Sequence, residues 1–273
     1  MLELAQNKKV LLKNVFVSFC AAMCLMLTIS LSPHLLAQDL DQGVKAYNTG
    51  NYQTAIKHFK PLALQGDLKA QFNMGIIYKN GKGVTQDYAE AVKWFRLAAK
   101  QGSPEAQNWL GGFYDEGKGV PQDFNEAVRW YRLSAGQNYA HAQYNLAHNY
   151  RKGEGVTQDY SIAAEYYQLA AEQGLFRATY NLGLMHENGH GFQQNFEKAA
   201  KYYEEAAKDG FASAQYNLAR LYEYGDGVPL NTRKAAKWYK RAAKQGHSKA
   251  QAALNEYYRT LPPIGRLFEL FNN

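Results

Sequence analysis

The chain has 273 residues, of which 46% are hydrophobic, 14% aromatic and 20% charged, with a formal net charge of +7. A chain of this length can bury an ample core without covalent staples, and both of its cysteines, Cys20 and Cys24, lie near the start. Past them there is neither a thiol nucleophile nor a thiolate metal ligand. The basic residues are scattered rather than gathered into the stripe that a nucleic-acid binder needs, which argues against nucleic acid as a partner.

Residues 1–37 read as a secretory signal peptide. Lys8, Lys9 and Lys13 precede an uncharged apolar run from Val15 to Leu31, and Leu35-Leu36-Ala37 precedes Gln38. Cleavage is expected after Ala37, giving a periplasmic or secreted protein of a Gram-negative bacterium. The competing reading is an uncleaved anchor, because the apolar run sits at the lower edge of membrane-spanning length. Only in that case is a membrane expected as a partner. A lipoprotein site does not fit, since Cys20 follows Phe19 and Cys24 follows Met23.

From residue 67 onward a 36-residue period governs the chain. Gly81-Lys82-Gly83-Val84 recurs as Gly117-Lys118-Gly119-Val120 and Gly153-Glu154-Gly155-Val156, then as Gly189-His190-Gly191-Phe192 and Gly225-Asp226-Gly227-Val228. Gly66, Gly102, Gly174, Gly210 and Gly246 keep the same step, with Asn138 at the one missing beat. A fixed period of this size signals a solenoid, in which each unit buries its apolar face only against its neighbours.

The unit from Asp67 to Gly102 shows how one repeat is built. Ala70, Met74 and Tyr78 form the apolar face of a helix A, which Gly81 and Gly83 stop. Asp87 is placed as the N-cap of a helix B, with Glu90 as its capping-box partner. Ala91, Trp94, Phe95 and Ala98 make the apolar stripe of that helix, and Gly102 ends it. The cap column reads Asn51, Asp87, Asp123, Asp159, Asn195, Asn231. Small residues recur at Ala70, Ala106, Ala142, Ala178, Ala214 and Ala250 in helix A, and at Ala55, Ala91, Ala127, Ala163, Ala199 and Ala235 in helix B. Aromatic pairs from Trp94-Phe95 to Trp238-Tyr239 fill the space beside them.

This pattern of alanines, tyrosine, paired glycines and aromatics resembles the Sel-one-like repeat family, relatives of tetratricopeptide repeats. The resemblance spans residues 67–246 as five units. Residues 38–66 have a shorter turn at Gly50 and read as an N-terminal tetratricopeptide-like capping repeat, with Pro61 expected to kink or loosen its second helix. Residues 247–273 read as a capping helix, Ser248 to Thr260, followed by an apolar tail. The fold class is therefore all-α. The resemblance implies a right-handed α-solenoid of stacked helix-turn-helix repeats whose helices A line a concave face, and a role as adaptor or scaffold.

Catalysis finds no candidate residues, and neither a cofactor nor a metal is expected. His186-Glu187-Asn188-Gly189-His190 matches the zinc-protease string, but Gly189 is the repeat's helix-ending glycine, so the helix should stop between the two imidazoles. The Gly-x-Gly turns lack the strand and Gly-Lys-Ser/Thr of a phosphate loop. The candidate site is instead the helix A groove. Its residues are Asn73, Tyr144, Asn145, His148, Tyr180, Asn181, Tyr216 and Asn217. The asparagine column, interrupted by Trp109, is expected either to bond the backbone of the neighbouring repeat or to hold an extended peptide. A protein or peptide partner and a monomeric state are expected. A cell-envelope regulator that restrains a membrane sensor, and a cell-wall-binding protein or hydrolase, are the alternatives.

Overall fold

The computed structural model describes residues 33–260, with side chains from residue 37 onward. The expected signal segment up to residue 32 and the apolar tail lie outside the described residues. Among the described residues every regular element is a helix. The A helices are α1 (Pro33–Asn48), α3 (Leu68–Asn80), α5 (Pro104–Glu116), α7 (Ala140–Lys152), α9 (Phe176–Asn188), α11 (Ala212–Tyr224) and α13 (Ser248–Thr260). The B helices are α2 (Tyr52–Leu64), α4 (Tyr88–Lys100), α6 (Phe124–Ala135), α8 (Tyr160–Glu172), α10 (Phe196–Lys208) and α12 (Thr232–Lys244).

The chain divides into two compact units after Ala70. In the first, α1 packs against α2 around Phe59, which is fully buried. A Cβ on Gly43 would come within 2.5 Å of the Phe59 ring, so glycine there lets the two helices close. Helix α2 continues through Pro61 to Leu64, and the Gln65 N–H closes onto the Pro61 carbonyl. Proline removes one donor, but its own carbonyl still serves the last turn.

In the second unit helices pack on their neighbours in the chain, A on B and B on the next A. This is an α-solenoid. Both small columns are sequestered: Ala106, Ala142, Ala178 and Ala214 of helix A, and Ala91, Ala127, Ala163 and Ala199 of helix B, are all 0% exposed. The second aromatic of each pair, such as Tyr167 or Tyr203, is likewise fully buried, while the first lies nearer the surface. Small residues bring the helices close, and the large rings fill the volume on either side.

The turn between helices A and B uses each of its motif residues for a separate purpose. Gly153 ends α7 in the left-handed conformation, with φ at 75°. Gly155 also has a positive φ, 69°, and a Cβ there would collide with the Phe124 carbonyl at the start of the preceding helix B. Gln158 then folds back, its Nε2 donating to the Arg151 carbonyl at 2.9 Å. Gln86, Gln122 and Gln194 make the same bond. The motif glutamine thus satisfies a helix-end carbonyl that would otherwise lack a partner.

Asp87, Asp123, Asp159, Asn195 and Asn231 cap their B helices as expected. Asn51 does not; its side chain makes no cap bond. The expected capping box also fails to form. The Asp87 N–H donates to the Tyr78 carbonyl at 3.0 Å, so it has no need of Glu90, which pairs with Lys93 instead.

Candidate functional site

The helix A surface of the second unit is built on a second layer of aromatic contacts. Tyr144 lies 5.6 Å from Tyr167, Tyr180 5.6 Å from Tyr203, and Tyr216 5.7 Å from Tyr239, measured between ring centroids. Each groove tyrosine therefore leans on the buried tyrosine of its own helix B. These residues are half-buried, neither pure core nor free surface.

Asn145, Asn181 and Asn217 bond side chains or their own helix rather than the neighbouring backbone that the sequence suggested. Asn145 Nδ2 donates to Asn108 Oδ1 at 2.9 Å, and Asn217 Nδ2 to the Tyr180 hydroxyl at 3.3 Å, each reaching one helix A back. Asn181 instead donates to the Arg177 carbonyl of its own helix at 2.7 Å. Asn73 and His148 are half-buried. Burial, followed by the charges of Arg151 and Lys152, pushes the His148 pKa down.

Three of the expected groove residues converge. Tyr180, Tyr216 and Asn217 line one depression of about 440 Å³, together with Ser213, His247 and Lys249. The His247 ring stacks on Tyr216 at 4.7 Å. Tyr144, Asn145 and His148 stand on α7 and Asn181 on α9, all outside this depression.

Sequence reading missed two features of this surface. Trp109 is 37% exposed, with its indole stacked at 6.1 Å on Phe95 and the Lys79 ammonium 4.2 Å above it. Its signal was the break in the asparagine column. The second feature is a carboxylate opposite each late helix B tyrosine. Tyr203 and Arg220 both donate to Glu187, and Tyr239 donates to Glu223 at 2.6 Å. Burial, reinforced by the adjacent carboxylate, holds both phenols far above the ordinary tyrosine range. They are fixed hydrogen-bond donors, not acids.

The zinc-like string is split by the fold. Helix α9 ends at Asn188, His186 stacks on Phe192 at 4.1 Å, and His190 stacks on Tyr160 at 4.5 Å. Among the described residues no group of three or more His, Cys, Asp or Glu side chains is placed to hold a metal ion.

The repeat geometry is shared with known proteins. The Sel1 repeat family model matches residues 36–67, 68–103, 104–139, 140–175, 177–211 and 212–247. The chain belongs to the Sel1 repeat family. The first of these Sel1 repeats takes in the short-turned pair at the N-terminal end. Among solved structures, c5321, a protective antigen present in uropathogenic Escherichia coli strains, is 35% identical with a TM-score of 0.76. The alignment covers 82% of this chain and 52% of that one, so the chain spans about half the length of the antigen. A Sel1 repeat protein from Oxalobacter formigenes is 34% identical with a TM-score of 0.75, covering 81% of this chain and 88% of that one. Comparison with curated proteins gives no match.

Proposed function

We propose that this Sel1 repeat chain is an exported, non-catalytic adaptor that holds an extended segment of a partner protein along its helix A surface. The depression lined by Tyr180, Tyr216 and Asn217 is the anchoring point. Its two tyrosine rings are supported from behind by Tyr203 and Tyr239, so ordering them on binding costs little rotamer entropy. Tyrosine offers an apolar body with a polar tip, and Ser213 and Lys249 add polar partners at the rim. Export rests on the basic start, the apolar run and Ala37. Among the described residues no helix is long and apolar enough to cross a membrane.

Photo-crosslinking tests the reading. A photoreactive residue at Ser213 should trap a discrete protein adduct in the cell envelope, and Lys249→Glu should weaken that adduct. The same probe at the exposed Arg129 on α6 should give none. Equal adducts from both positions would remove the groove assignment. N-terminal sequencing of the envelope form should begin within a few residues of Gln38. A retained Met1 would replace export by anchoring.

A further inference from the structure

On the helix B side, successive repeats are joined by an arginine clasp. Arg96 donates to the Tyr114 hydroxyl of the next repeat at 2.8 Å, and Arg132 to that of Tyr150 at 2.9 Å. At the following step both members change: Gln168 stands in the arginine place and His186 in the tyrosine place. Phe192 replaces the turn valine, and Lys198 stands where the previous repeat has Ile162. Gln168 accepts instead from the Tyr202 hydroxyl, at 3.4 Å.

These departures meet at one point and open a cleft of about 650 Å³. One repeat earlier, the corresponding hollow beside Arg132 and Tyr150 is about 410 Å³. The larger cleft has apolar walls formed by Leu169, Leu182, Phe192 and Tyr202. His186 also lines it, 5% exposed, between the nearly parallel rings of Phe192 and Tyr202. Its Nδ1 is buried and has no hydrogen-bond partner. A buried polar atom of this kind is costly unless something satisfies it.

Burial, then the Lys198 charge, pushes the His186 pKa down, so the ring is neutral near neutral pH and can place its one proton on Nδ1. Lys198 lines the same cleft. Two donors therefore belong to residues that line an open cleft with apolar walls, and a compact anion satisfies both. A second negative group on the ligand would meet Glu165, which also lines the cleft. Its volume falls within the range of about 300–1,000 Å³ typical of small-molecule sites. We propose that this cleft binds a small monocarboxylic acid with an apolar body, the carboxylate lying between the Lys198 ammonium and His186 Nδ1–H. The hydrocarbon displaces water from Leu169, Leu182 and Phe192, while the charge-assisted hydrogen bonds fix its orientation.

The test titrates octanoate into the full chain, read by calorimetry and by the imidazole nitrogen signals of His186. Octanoate should bind and shift the His186 signals, with octanol at least about tenfold weaker. Lys198→Met should weaken octanoate by about tenfold and leave octanol unchanged. The triple variant Gln168→Arg, His186→Tyr, Phe192→Val restores the clasp of the preceding repeats. It should melt no lower than the parent and lose octanoate. Several results would overturn the proposal: no octanoate binding at millimolar concentration, octanol binding as well, or binding that survives the triple variant. A peptide ending in Ala-Ala-Leu that binds more tightly than octanoate would assign the cleft to a peptide C-terminus and likewise overturn the small-acid reading.

Discussion

At the scale of single residues, the two turn glycines look equivalent in sequence and differ in the fold. Gly153 needs its positive φ, and a Cβ there would sit 3.2 Å from the Gln158 Cβ and 3.3 Å from its backbone N, a tight approach but not an overlap. Gly155 needs its φ and also the absence of a side chain, because the Phe124 backbone occupies the place of a Cβ. Gly153→Ala should therefore cost about 1–2 kcal/mol, the price of the left-handed conformation, and Gly155→Ala distinctly more. Chemical denaturation of both variants gives the comparison, and equal losses would contradict the steric account. The period alone placed both glycines, but it carries no information about which neighbour approaches. Asn138 was more legible. It is the one non-glycine with positive φ among the described residues, at 61°, as its place in a glycine column implied. Asparagine tolerates that region where other side chains do not.

At the scale of the element, helix ends were readable because caps obey local rules, and the errors arose where a tertiary bond took over. Asp87 and its equivalents cap as the pattern requires, yet Glu90 lost its role because the Tyr78 carbonyl already takes the Asp87 N–H. The link between helix pairs was not legible at all. Gln173 Nε2 donates to the buried Gln143 Oε1 at 2.7 Å, and Gln101–Gln71, Gln137–Gln107 and Gln245–Gln215 repeat the bond. Each pair is separated by the length of a repeat's interior, which no helical or strand periodicity detects. In the repeat where Thr179 replaces the buried glutamine, Asp209 replaces its partner. The two positions should therefore be coupled. Gln143→Ala is expected to cost about 1–3 kcal/mol, because it strands polar groups at a buried place. Gln143→Thr with Gln173→Asp should cost less than the two single changes added together, by at least about 0.5 kcal/mol. Strict additivity in a double-mutant cycle would mean that the shared change has no energetic basis.

At the scale of the whole molecule, the period fixed the architecture of the stack, but the exact place of the site was less accessible. Periodicity treats all repeats alike and favours the middle, whereas the depression that unites Tyr180, Tyr216 and Asn217 is closed by His247 and Lys249 from the start of the last described helix. A site made of three successive A helices depends on residues that differ between repeats, and those differences are the part a consensus discards. The same neighbour-only packing governs stability. Leu146 in α7 is 0% exposed and has repeats on both sides, while Leu254 in α13 is 6% exposed and ends the described stack. Leu-to-Ala changes in cores cost about 2–5 kcal/mol. In a quasi-one-dimensional stack that loss is felt by adjacent interfaces first. Leu146→Ala should raise amide exchange through α5 to α10 on both sides of the cavity. Leu254→Ala should raise it in α12 and α13 while the protection of α5 to α8 stays at the parent level. Were Leu254→Ala to accelerate exchange evenly along all of these helices, the second unit would be a single cooperative block, and the picture of repeats stabilised only by their neighbours would fail.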